Sequence, residues 1–209
     1  MIAIIDYDAG NIKSVEKAFQ FLKQDVVLTR ERDEILNADA VVLPGVGSFG
    51  DAMMKLEHYG LADVIREVVK RHTPFLGICL GLQLLFDSSD ETPGVKGLGI
   101  LPGKIIKIPD DQGLKVPHIG WNSLDFPKKG RLFEGIDEGA YVYFVHSYYL
   151  ACDDPSMVTA TTDYVTHIHA SVEMDNVFAC QFHPEKSGDV GLKILKNFIE
   201  IPSPAKEVM

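Results

Sequence analysis

Phe75-Leu76-Gly77-Ile78-Cys79-Leu80-Gly81-Leu82-Gln83 is the stretch on which the reading of this chain turns. The run up to Ile78 is continuously apolar, as in a strand buried on both faces, and residues 80–86 read as a helix that follows at once. Cys79 stands at the junction with a glycine two positions away on each side. A nucleophile held on a sharp strand-to-helix turn needs such glycines, because the turn is tight and its neighbours pack closely. A helix N-terminus favours thiolate over thiol, and the backbone N–H of Leu80 can face an oxyanion. The bland reading of the same residues is a buried structural cysteine between two packing glycines.

Working outward, the upstream half alternates strands and helices. Residues 2–6 are apolar and β-branched; Asn11 is a plausible N-cap for a helix carrying Ile12, Val15, Phe19 and Leu22 at helical spacing. Further strands are expected at 26–29 and at 40–43, the latter ended by Pro44-Gly45; Ser48 with Asp51 resembles a capping box, and 61–69 reads as a helix. This alternation predicts an α/β fold with a mostly parallel central sheet and helices on both faces. Downstream the character changes. Strands are expected at 105–108, 141–145, 158–161, 168–172 and 177–181 with few helices between them, so an antiparallel portion is added in the C-terminal half before a last helix at 188–199. One domain is expected over 1–201, with residues 202–209 fraying as a proline-containing tail.

Composition removes several function classes. The formal net charge of −10 disfavours nucleic acid as the main partner, and Lys128, Lys129 and Arg131 read as a solvated turn. Cys79, Cys152 and Cys180 cannot all pair and show no C-x-x-C spacing, which points to a reducing compartment. Cys180 is expected to be inert in a buried strand, and Cys152 to sit in a polar loop. The N-terminus lacks the pattern of a signal peptide, no stretch is long and apolar enough to span a membrane, and the cytoplasm is the expectation. His167 and His169 alternate without a metal-spaced companion, so neither metal nor cofactor is expected.

Two further motifs bear on Cys79. In Ala179-Cys180-Gln181-Phe182-His183-Pro184-Glu185 an apolar strand ends at His-Pro-Glu. Residues i and i+2 of an extended segment point the same way, so His183 and Glu185 can form a base and its orienting carboxylate. A surface loop with one histidine and one glutamate is the competing reading. Gly45-Val46-Gly47-Ser48-Phe49-Gly50 matches G-x-G-x-x-G, but it follows the third strand and has a helix where the acidic strand end of a dinucleotide site belongs. A backbone anion site, supplying the other half of an oxyanion hole, suits it better.

At these motifs the sequence resembles the class I (triad) glutamine amidotransferases over nearly the whole chain. The resemblance implies a triad of Cys79, His183 and Glu185, hydrolysis of the side-chain amide of L-glutamine, and a substrate role for Gln83. Asp6-Tyr7, Gly10-Asn11-Ile12, Ser14-Val15, Pro44-Gly45-Val46-Gly47-Ser48-Phe49, Val116-Pro117-His118-Ile119-Gly120-Trp121-Asn122 and Tyr143-Phe144-Val145-His146-Ser147-Tyr148 narrow it to the glutaminase subunits that serve a synthase of histidine biosynthesis. Asp8-Ala9 departs from that pattern. The narrower resemblance implies an oxyanion and substrate site from Gly45, Val46, Gly47, Leu80, Gln83, His146, Ser147 and Tyr148. It also implies a heterodimer with a (β/α)₈-barrel cyclase/synthase subunit, touched by Tyr143 and Lys186 with Trp121, Asn11 and Ser14 nearby. A paralogous subunit feeding sugar-nucleotide amidation, a stand-alone cysteine hydrolase and a non-catalytic module stay open as rivals; the last is disfavoured because all three triad residues are present.

Overall fold

The computed structural model describes residues 1–110 and 113–203. In chain order the first half comprises β1 (Ile2–Ile5), α1 (Ile12–Phe21), β2 (Val26–Thr29), α2 (Arg32–Leu36), β3 (Ala40–Gly45), α3 (Phe49–His58), α4 (Leu61–Lys70), β4 (Phe75–Cys79) and α5 (Leu80–Leu84). The second half comprises β5 (Ser88–Ser89), β6 (Gly103–Lys107), β7 (His118–Ser123), β8 (Tyr141–His146), β9 (Tyr148–Cys152), β10 (Val158–Tyr164), β11 (Thr166–Met174), β12 (Val177–Cys180) and α6 (Gly188–Ile199).

Among the described residues the main sheet runs β2-β1-β3-β4-β12-β11-β9-β6-β5, with β10 also paired to β11. Pairing is parallel from β2 through β12 and antiparallel from β12 through β6. The expected antiparallel addition is therefore a continuation of the same sheet, plus a separate antiparallel ribbon of β7 and β8. Strand alternation divides the core into two. Ala3, Ile5, Val41, Leu43, Phe75 and Val177 face one cluster with Ile35, Leu56 and Ile65 of α2–α4. Ile2, Ile4, Val42, Leu76, Ile78 and Phe178 face the other with Val15 and Phe19 of α1 and Leu195 and Phe198 of α6. Central strands buried on both faces have no polar side to show, which is why they read as unbroken apolar runs.

Several expectations need adjustment. β3 runs on through Pro44 and Gly45 instead of ending before them. β1 pairs with it only as far as Val42, so the missing N–H of Pro44 interrupts no bond on that side, while β4 follows it to Cys79. α2 is too short to leave a periodic signal, and the polar, half-exposed β7 and the tyrosine-led β9 carry no strand pattern in the sequence. Cys152 accordingly closes β9, paired with Gly103, and is not in a loop. Asn11 occupies the N-cap position of α1, but it is in the left-handed region and its side chain caps nothing. Most of the tail expected to fray, residues 204–209, lies outside the described residues.

The topology puts β12 directly beside β4, with Cys180 level with Ile78, and β3 on the other side, with Gly45 level with Cys79. Three strand ends thus meet at one edge of a parallel sheet, the general location of ligand sites in such folds.

Candidate active site

Cys79 is the last residue of β4 and the cap of α5, with φ 56° and ψ −108°. A non-glycine residue in that region is strained, and the strain persists only where the surroundings enforce it. Here glycines do so. A Cβ on Gly81 would lie 1.8 Å from the Leu43 carbonyl oxygen, and one on Gly77 would lie 2.8 Å from the Gly81 oxygen. The first N–H groups of a helix have no intrahelical acceptor, so the Leu80 N–H is available beside the sulfur.

His183 and Glu185 arrive on a short 3₁₀ turn, Pro184–Lys186, just beyond β12. His183 Nδ1 is 2.8 Å from Glu185 Oε1, with both side chains almost fully buried. That oxygen also accepts from Asn11 Nδ2 at 2.9 Å, which is where the side chain of Asn11 has gone. The turn is clamped to β8: the His183 N–H donates to the Tyr143 carbonyl at 2.9 Å, the Tyr143 N–H donates to Ser187 Oγ at 3.0 Å, and that hydroxyl donates to the His183 carbonyl at 2.6 Å. Burial works against a charged imidazole, but Cys79 and Glu185 outweigh it and hold the pKa of His183 up at about 9. His183 Nε2 and Glu185 Oε2 are buried with no hydrogen-bond partner among the described residues. The first is the atom a proton-transfer role would leave free.

Cys79 and His183 open onto one cleft of about 290 Å³, lined also by Val46, Gly47, Leu80, Gln83 and Glu91 and by Val145, His146, Ser147 and Tyr148. That volume sits near the lower end of small-molecule sites, about 300–1,000 Å³. The structure thus gathers nearly all of the expected substrate residues. Gly45 is the exception: it does not line the cleft but lies behind it, where a Cβ would meet the Tyr7 hydroxyl at 2.3 Å. Gly47 has φ 104° with open space around it, so there a glycine serves the backbone conformation and not the packing.

Two of these residues have less to offer a ligand than expected. Both N–H groups of the Gln83 amide are taken, one by the Tyr148 carbonyl and one by Gln181 Oε1, each at 3.0 Å, leaving only its carbonyl oxygen. His146 is engaged at both nitrogens, Nδ1 with the Tyr148 carbonyl at 2.9 Å and Nε2 with His118 Nδ1 at 3.1 Å. Burial pushes His146 down to about 3 and His118 down to about 4, so the pair is neutral. His146 is therefore a wall of the cleft and not a charged contact.

Glu91 and Gln181 were not singled out from sequence. Glu91 lies in a polar segment without periodicity; it lines the cleft while accepting from the Phe49 N–H at 2.7 Å. Gln181 did carry a signal, since it stands two residues before His183 in an extended segment. The remaining residues form a surface cluster. Trp121 and Tyr143 are cross-strand neighbours with ring centroids 6.1 Å apart, and Lys186 Nζ lies 5.9 Å from the Tyr143 ring. Trp121 is 54% exposed. Asn11 and Ser14 are half-buried at the start of α1, which packs on the 184–186 turn.

Comparison with known proteins matches the family model described as glutamine amidotransferase class-I over residues 3–201. Among curated relatives, an imidazole glycerol phosphate synthase subunit HisH from Moorella thermoacetica is 51% identical over 200 residues, covering 96% of this chain and 94% of that protein. One of the same name from Methanocaldococcus jannaschii is 49% identical over 201 residues, covering 96% of this chain and all of the other. Among solved structures, one described as a glutamine amidotransferase superposes with a TM-score of 0.74 at 18% identity, covering 94% of this chain and 98% of that one, which speaks for the fold alone.

Proposed function

The chain belongs to the class I glutamine amidotransferases, and from that premise we propose that it is the glutaminase subunit of an imidazole glycerol phosphate synthase. It hydrolyses L-glutamine to glutamate and ammonia and passes the ammonia to a (β/α)₈-barrel synthase subunit of histidine biosynthesis. The observation that carries the chemistry is the convergence of Cys79 and the hydrogen-bonded His183–Glu185 pair on one small cleft. The relatives at about half identity over nearly the full chain favour this assignment over sugar-nucleotide amidation and over a stand-alone hydrolase.

The substrate amide carbonyl fits between the Leu80 N–H and the Val46–Gly47 backbone. Gln83, through its free carbonyl oxygen, and the 146–148 segment hold the amino-acid end, with the Glu91 carboxylate suited to the α-ammonium. The sulfur of Cys79 attacks the amide carbon with its proton already on His183. The imidazolium gives that proton to the departing amine, ammonia leaves, and a thioester remains on Cys79. Water deprotonated by His183 then cleaves the thioester to glutamate. An imidazole held up at about 9 by its neighbours keeps its proton at neutral pH until the leaving group takes it. Glu185 orients the ring and offsets its charge.

The cluster of exposed Trp121 and Lys186 with half-buried Tyr143, and Asn11 and Ser14 beside the 184–186 turn, is the surface we assign to the barrel subunit. A closed interface there shields ammonia from protonation in bulk water. No helix of the described residues is long and apolar enough to cross a membrane.

Glutamine hydrolysis and product formation by the assembled pair test this reading. Cys79→Ala abolishes glutamine-dependent synthesis and leaves synthesis from added ammonia. Retained glutamine hydrolysis in that variant sinks the assignment, and full hydrolysis without any barrel subunit favours the stand-alone hydrolase.

A further inference from the structure

Gln181 is fully buried and takes no part in the mechanism above, yet it touches the nucleophile. It directly follows β12, and its backbone N–H is satisfied by the Ala170 carbonyl at 2.8 Å. Its side chain lies between Gln83 and Cys79: Oε1 is 3.0 Å from Gln83 Nε2, and Nε2 is 3.7 Å from Cys79 Sγ.

The sense of these contacts follows from one atom. The Tyr148 carbonyl oxygen can only accept, and two side chains reach it, Gln83 Nε2 at 3.0 Å and His146 Nδ1 at 2.9 Å. The Gln83 amide is therefore turned with its nitrogen inward, and its second N–H points at Gln181. Gln181 must present its oxygen there, which leaves its own N–H₂ facing the sulfur. On the other branch His146 carries its proton on Nδ1, so Nε2 accepts from His118 Nδ1 at 3.1 Å. Both branches are buried, so every donor in them needs its acceptor, and none can reverse without leaving a buried polar group unpaired.

We propose that Gln181 is a further catalytic residue of the proposed glutaminase, a fixed N–H donor on the Cys79 sulfur that aims it and stabilises its anionic form. A hydrogen bond to the charged form of a group favours that form. Sulfur is anionic as it attacks and again as the thioester breaks, so the donor acts at both steps with no proton transfer of its own. Gln83 then has two duties, one toward the ligand through its oxygen and one toward the sulfur through Gln181.

The inference rests on the glutaminase reading only for its effect on turnover; the reactivity of Cys79 can be read without any substrate. Gln181→Glu keeps an acceptor for Gln83 but sets an anionic oxygen against the sulfur, while Gln181→Met removes the donor at similar volume. Iodoacetamide labelling of Cys79 in the full chain, followed across pH by peptide mass spectrometry, should have its midpoint raised by about one pH unit or more in Gln181→Glu and by a smaller amount in Gln181→Met. Glutamine turnover with the barrel subunit should fall by about 100-fold and about tenfold in kcat respectively, on the scale of other lost active-site donors, with KM little changed. Packing loss alone lowers stability without moving the labelling midpoint, so thermal melts are run on both variants, and Gln181→Met carries the test if Gln181→Glu does not fold. Labelling profiles that coincide with wild type overturn the proposal. A shifted profile in a protein whose wild type hydrolyses no glutamine overturns the functional assignment and leaves the donor role intact.

Discussion

β4 and β12 lie side by side, parallel and in register, yet they deliver their chemistry by different means. At the end of β4 the geometry comes from atoms that are missing. Gly77 and Gly81 allow the backbone to close around Cys79, and an added methyl at Gly81 would overlap the Leu43 carbonyl. At the end of β12 the geometry comes mostly from polar groups that are present. Glu185 and Asn11 fix the imidazole of His183 from one side, and Ser187 with Tyr143 ties down its backbone from the other. In the roles proposed above, Cys79 needs a strained turn with open backbone donors, which close packing enforces, and His183 needs a set tautomer and a compensated charge, which hydrogen bonds supply.

Mutations should separate the two mechanisms. Gly81→Ala has the largest expected effect, because backbone cannot yield as a flexible side chain does. We expect a loss above about 4 kcal/mol, enough to prevent accumulation of folded protein, measured by denaturant titration. A variant that folds with near wild-type stability would show that packing does not enforce the elbow. Next, Glu185→Gln keeps the shape of the β12 end and removes its charge. It should fold, yet kcat for glutamine should drop by roughly 10²–10⁴-fold with KM little changed, by analogy with the loss of an orienting carboxylate.

The smallest effect is in pH dependence, where the charged end of β12 contrasts with the neutral His118–His146 pair at the wall of the cleft. His183 is held above the ordinary value of 6.5, so its contribution to stability is complete below that pH and is lost as pH rises through about 9. His118 and His146 are held below it, so the unfolded chain takes up protons first and stability falls as pH drops from 6.5 toward about 4. Melting temperature should therefore peak near pH 6.5 and decline by several degrees, about 2–8 °C, on either side. His146→Gln should flatten the acid limb and leave the alkaline one. An acid limb unchanged in that variant would deny the neutral pair its part.

Much of this was legible in the chain because it depends on local rules. A run with no polar residue must be buried on both sides, and glycines placed symmetrically about a cysteine mark a turn that other residues cannot make. His183 and Glu185 stand two apart at the end of an apolar run, but the structure pairs them at a 3₁₀ turn, Pro184–Lys186, and not by the two-residue period of extended chain. β7, β9 and α2 escaped because short or half-exposed elements leave no period to detect.

What the sequence by itself determined was the kind of arrangement: a cysteine on a glycine-flanked elbow, a histidine followed two residues on by a glutamate, and strands ending at a shared edge. Only the tertiary structure decided the partners. Strand order brought together Cys79 and His183, 104 positions apart, took the Asn11 side chain from its helix cap to Glu185, moved Gly45 behind the cleft, and aimed Gln181 at the sulfur. The reason is that local rules set which way a residue faces, whereas the satisfaction of buried polar groups is settled between segments far apart in the chain.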